Sequence, residues 1–92
     1  MNTTFNPAKR AWTLAHRGLD FAVDAEKVFS GETVTMIDDR FDYGEVRVYA
    51  IGVVNGLEIT VIFVDVSGTE RRIISAWRAE RHEREAYWQN IS

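Results

Sequence analysis

At 92 residues, 46% of them hydrophobic, the chain is expected to form a single domain over positions 1–92 and not a disordered tail. It has no cysteine, which removes disulfides and thiolate metal sites, and no apolar run near the roughly 20 residues that cross a bilayer. The net charge of −3 argues against strong long-range attraction to nucleic acid, and the opening Met1-Asn2-Thr3-Thr4-Phe5 has no secretory signature, so a cytoplasmic location without membrane contact is expected.

Asn6-Pro7 opens the first predicted helix, because asparagine caps well and proline belongs in the first turn. Ala8, Ala11, Trp12 and Ala15 recur at helical spacing, and Gly18 is a natural stop. Asp20 is the expected cap of a second helix, with Phe21, Ala25, Val28 and Phe29 as its buried stripe and Ser30-Gly31 as its end. The hydrophobic period then changes to two. Thr33 to Ile37 reads as a strand, 38–44 as a polar connection, and Glu45 to Val54 as a second strand. Asn55-Gly56 is a strong hairpin signal, returning the chain as a third strand from Leu57 to Val66. Ser67-Gly68 turns it again into a fourth strand, Glu70 to Ala76, and Arg78 to Asn90 is a charged, helix-prone close. The expected fold class is α+β: two N-terminal helices, an antiparallel four-stranded meander sheet and a C-terminal helix. One sheet face is expected to pack on helices and the other to stay partly free.

The Asn55-Gly56 turn fixes a register. Counting from it puts Val46, Val48, Ala50, Leu57, Ile59, Val61 and Phe63 on a core face, and Glu45, Arg47, Tyr49, Glu58 and Thr60 on the other. A two-residue loop at Ser67-Gly68 brings Arg71 to the side of Arg47, whereas a three-residue loop brings Arg72, so the residues alone leave this open. Either way two arginines are expected on neighbouring strands, near Glu45 and Tyr49. They read as a salt-bridged solvent face or as a phosphate clamp, with arginine well shaped for forked phosphate contacts. Charge is uneven along the chain: positions 1–18 hold Lys9, Arg10 and Arg17 without an acid, while 19–45 hold eight acids against Lys27 and Arg40.

Several runs together resemble the BrnT toxins. These are His16-Arg17-Gly18-Leu19-Asp20-Phe21, the stretch from Asp38 to Arg47, Ile51-Gly52, Arg72-Ile73-Ile74-Ser75-Ala76, and Arg81 to Tyr87. The resemblance covers nearly the whole chain in order. It implies a fold like the RelE ribonuclease toxins, a type II toxin–antitoxin system, and inhibition of translation by RNA cleavage. It implies a partner similar to the BrnA antitoxins, with a ribbon–helix–helix part, so that DNA is met only through the antitoxin and the pair represses its own operon. A homodimer or a heterotetramer with the antitoxin fits the same picture. The resemblance also favours Arg72 over Arg71. Departures from the family pattern are His16 and Arg17, which stand where lysine and histidine are common, Ser67 in a turn position often held by arginine, and Trp77 in place of an arginine.

RNA cleavage without a metal or other cofactor needs a base for the 2′-hydroxyl, stabilisation of the phosphorane and a proton for the leaving oxygen. Arg47 and Arg72 are the expected stabilisers. Glu45 is a candidate base or an arginine partner, and His16 a candidate acid or base, against the plainer reading of a last-turn histidine favoured by the helix dipole. Arg78, Arg17 and Trp77 are candidate RNA contacts, Trp77 through stacking. Tyr49 reads better as packing and His82 as solvent-facing. Asp38, Asp39 and Asp42 read as a solvated turn in preference to a cation site. The closing helix offers only Ala79, Ala86 and Tyr87 for burial, so a partner is expected to cover it. The competing class of function is a catalytically impaired protein that keeps the fold and binds the antitoxin.

Overall fold

The structure, a computed structural model, describes residues 2–91. In chain order the elements are β1 (Asn2–Phe5), α1 (Pro7–Arg17), α2 (Asp24–Ser30), β2 (Val34–Asp38), β3 (Arg47–Val54), β4 (Leu57–Ser67), β5 (Glu70–Arg78) and α3 (Arg81–Asn90). The strands form one sheet in the order β1-β5-β4-β3-β2. The α+β expectation holds and β2 to β5 pair antiparallel, but the sheet is mixed and five-stranded, because β1 precedes the helices and pairs parallel with β5.

Local chemistry explains most boundaries. The Asn6 side chain accepts from the Ala8 and Lys9 amides at 2.9 and 3.2 Å, Pro7 starts α1, and Gly18 ends it at φ 70°. The second helix starts later than expected, because Asp20 serves the preceding turn. Its carboxylate accepts from the Ala22 amide and takes a forked bond from Arg10. Asn55 and Gly56 both have positive φ, 51° and 80°, as a type I′ hairpin requires, and the pairs counted from that turn are the ones observed, from Val54 with Leu57 to Val48 with Phe63.

The main core joins Phe21, Ala25 and Val28 to Ala50, Val61, Phe63, Ile73 and Ala76. Val46 and Leu57, expected there, are exposed by 64% and 42%, because one lies before β3 and the other beside the hairpin tip. The opposite face is not simply free. Ile51 is buried with Ala79 and Tyr87, and the Tyr87 hydroxyl donates to the Glu32 carbonyl at 3.0 Å. The closing helix thus finds cover within the chain at Tyr87, while Trp88 stays 55% exposed. It also begins at Arg81, since β5 runs on through Arg78.

Two irregularities set the register of β5. The turn at Gly68-Thr69 is followed by a bulge at Val66, so Asp65 pairs with Arg71 and Val64 with Arg72. A second one leaves Ile74 without a partner between Ile73, opposite Phe63, and Ser75, opposite Ile62. One extra residue reverses every later side chain.

Candidate active site at the open end of the sheet

Along β3 the residues facing α3 are Arg47, Tyr49, Ile51 and Val53. The helix covers Ile51, about 13 Å from Arg47 at the usual strand rise, so the Arg47 end stays open. Arg72 reaches the same region from β5. The two arginines are not on neighbouring strands as expected, because β4 runs between β3 and β5. Their link is Glu45. Its Oε1 takes a bond from Arg47 Nε at 3.3 Å, and its Oε2 takes one from Arg72 Nη2 at 2.8 Å. All three side chains keep access to solvent, at 26%, 40% and 28% for Arg47, Arg72 and Glu45. The Arg47 guanidinium also lies 4.0 Å from the centre of the Tyr43 ring, which limits its freedom.

The arginine left open by the sequence is Arg72. Arg71 faces the helices instead, forked onto Asp65 at 2.7 and 3.2 Å and packed over the rings of Phe29 and Phe63. It is a structural cation.

Beside the arginine pair lies an aromatic wall. Tyr49 and Trp77 meet edge to face at 6.3 Å, with the Arg40 guanidinium over both. Arg40 is forked onto the buried Asp38, whose carboxylate also accepts from Tyr43. Hydrogen bonding to Arg40 holds the Asp38 carboxyl below the usual carboxylate range, and burial pushes the Tyr49 hydroxyl up. This turn is therefore an ion pair with an Asx loop. Among the described residues no group of three or more acidic or imidazole side chains is arranged to hold a metal. The Trp77 indole is fixed by its N–H, which donates at 3.0 Å to Glu83, a buried acceptor that also takes bonds from Thr60 Oγ1 and the Glu80 amide.

Three expected site residues lie elsewhere. His16 is exposed at the end of α1, stacked on Trp12 at 4.5 Å with Nδ1 2.9 Å from the Trp12 carbonyl oxygen. Arg17 donates to the Ala76 carbonyl at 2.9 Å and to Ser75 Oγ, on the edge of β5 beyond Arg72. Arg78 is on a strand, not a helix, opposite the core residue Ile59 and so on the other side of the sheet from Arg72. The Ile74 bulge is the reason. His82 is exposed, as read from its charged neighbours.

A further cation, Lys9, stands beside Arg72. A groove of about 520 Å³ beside Arg72 is lined by Asn6, Lys9, Ile73 and Ile74. One sequence signal points to Lys9: it sits in the first turn of a helix, where the dipole disfavours a cation.

The family model described as the ribonuclease toxin BrnT of type II toxin–antitoxin systems matches residues 5–83. A solved relative is the ribonuclease toxin BrnT of Brucella abortus, 31% identical, with a TM-score of 0.63 over 88% of this chain and 99% of that one. No curated protein matches.

Proposed function

Because this chain belongs to the BrnT family of type II toxins, we propose that it is a metal-independent endoribonuclease that stops translation by cutting RNA. It acts in the cytoplasm and is held in check by a BrnA-like ribbon–helix–helix antitoxin, through which alone it meets DNA. Its fold is read as a variant of the RelE type.

One observation carries this reading: two partly exposed guanidinium groups, on β3 and β5, share a single carboxylate at the uncovered end of the sheet. A scissile phosphate is a better partner for two forked cations than one carboxylate is, and it gains charge on going to the phosphorane. Once a phosphate replaces Glu45 between the arginines, the freed carboxylate is placed to take the 2′-hydroxyl proton. Attack of that oxygen on phosphorus forms the cyclic phosphate and releases the 5′-oxygen. On so open a surface, water supplies its proton. Trp77, beside Tyr49, offers a ring for a base once Arg40 moves aside. His16, Arg17 and Arg78 contribute to binding at most, because none of them contacts the arginine pair.

The test is induced expression without an antitoxin, paired with cleavage of a short RNA in the presence of a chelator. Arg47→Ala or Arg72→Ala is expected to slow cleavage by about 100-fold or more and restore growth. Each exposed pair is worth only about 0–1 kcal/mol of stability, so melting should barely move. Equal losses of folding and cleavage would reduce both to structural residues. Unimpeded growth by the well-folded natural chain would favour the impaired, antitoxin-binding alternative.

A further inference from the structure

We propose that the groove between the start of α1 and β5 is a second phosphate subsite, in which Lys9 and the outer side of Arg72 hold a phosphodiester neighbouring the one cleaved; this rests on the nuclease reading above. The groove exists because β1 stops short. It pairs with β5 only as far as Phe5 opposite Ile73, and the chain then leaves the sheet at Asn6 to begin α1. Beyond that point the edge of β5 is uncovered at Ile74, the residue that the bulge leaves without a partner.

Three features make this an anion site. Lys9 makes no ion pair or side-chain hydrogen bond among the described residues, so its charge is not spent on a carboxylate, in contrast to Arg10, which is bound to Asp20. The walls add no acid: Asn6, Ile73 and Ile74 complete the lining. Finally, Arg72 borders both this groove and the Glu45 cluster, so the two sites share a side chain. Consecutive phosphates of an extended single strand lie roughly 6–7 Å apart, and a guanidinium with five N–H donors can serve one with each edge. A strand entering over Ile74 would then be gripped before its next phosphate meets Arg47.

The groove predicts a requirement for charge at one linkage beside the scissile one. The probe is a short single-stranded 2′-deoxy oligonucleotide, which is not cleavable, with a neutral methylphosphonate stepped through each linkage. For the natural chain, neutralising one position is expected to weaken Kd by about tenfold. Lys9→Gln should weaken the fully charged strand by several-fold, and neutralising the same linkage in that variant should then cost clearly less than it does in the natural chain, because only the Arg72 contact is left to lose. Lys9→Arg should rescue binding. Penalties that multiply, or a Lys9→Gln variant that folds and binds as well as the natural chain, would overturn the subsite. A natural chain that binds the oligonucleotide with this signature yet never cleaves RNA would sink the nuclease reading and leave the groove standing. A chain that cleaves RNA yet fails to bind the oligonucleotide at all would end the subsite and leave the nuclease reading standing.

Discussion

Asp38 is a buried carboxylate that keeps its charge. Its side chain is 1% exposed, yet it receives both arms of Arg40, the Arg40 amide and the Tyr43 hydroxyl. The bonds from Arg40 set the direction of its shift, below the ordinary value of 3.8, against the opposing effect of burial. A group whose pKa is lower in the folded than in the unfolded chain stabilises the fold above its unfolded value, and this is lost as pH falls through the folded one. Asp20, paired with Arg10, and Glu58, bound by Trp88, shift the same way. Stability is therefore expected to fall as pH drops below about 4. Asp38→Asn should cost roughly 1–2 kcal/mol at neutral pH, discounted because Arg40 is half exposed, and should shallow the acid limb without removing it. Thermal melts of both chains between pH 2 and 7 would check this, and parallel acid limbs would show that Asp38 is not coupled to folding.

Among the elements, α2 approaches β3 closely at Gly52. A β-carbon there would come 3.2 Å from Val28 Cγ1 and 3.3 Å from the Val28 carbonyl oxygen, and the carbonyl belongs to helix backbone that cannot swing away. Gly52→Ala is expected to destabilise by about 1–3 kcal/mol, read as a lowered urea midpoint. A variant of unchanged midpoint would mean that α2 shifts freely. That glycine was visible as part of the Ile51-Gly52 motif, but its reason was not, since the clash is with a residue 24 positions earlier. The same divide runs through the rest of the fold. The hairpin register was legible because Asn55-Gly56 leaves the backbone little choice. β1 was not, because Asn2 to Phe5 is four residues with a single large apolar side chain, and it becomes a strand only by pairing with β5 almost 70 positions away. The Ile74 bulge has no local signature, and it decides the sides of Trp77 and Arg78. Of the candidate site, strand parity puts Glu45 and Arg47 on one face, and only the motif resemblance favours Arg72 over Arg71. His16 lies away from the arginine pair, and helix spacing says nothing about which strand a helix end approaches.

At the scale of the molecule the charge is set against its proposed substrate. The acids of positions 19–45 outnumber their cations eight to two and the net charge is −3, so the protein's field gives an approaching RNA little long-range attraction to Arg47, Arg72 and Lys9. Binding then depends on a few close contacts and little on steering. With two or three phosphates engaged, log Kd should change with log salt by roughly 0.7 for each, a total near 1.4–2.1, which is shallow for a nucleic-acid enzyme. Asp39 tests the opposing term. It is exposed, it makes no ion pair among the described residues, and it lies in the loop that precedes Glu45. At ~0.1 M salt charges are felt over about 10 Å, and at ~1 M over about 3 Å. Asp39→Lys is therefore expected to raise kcat/KM for a short RNA several-fold at ~0.05 M salt through faster association, with kcat unchanged, and the gain should vanish near ~1 M. A gain that persists at high salt would mean that the new lysine touches the RNA directly, and no gain at either would mean that the acidic stretch lies off the substrate's path.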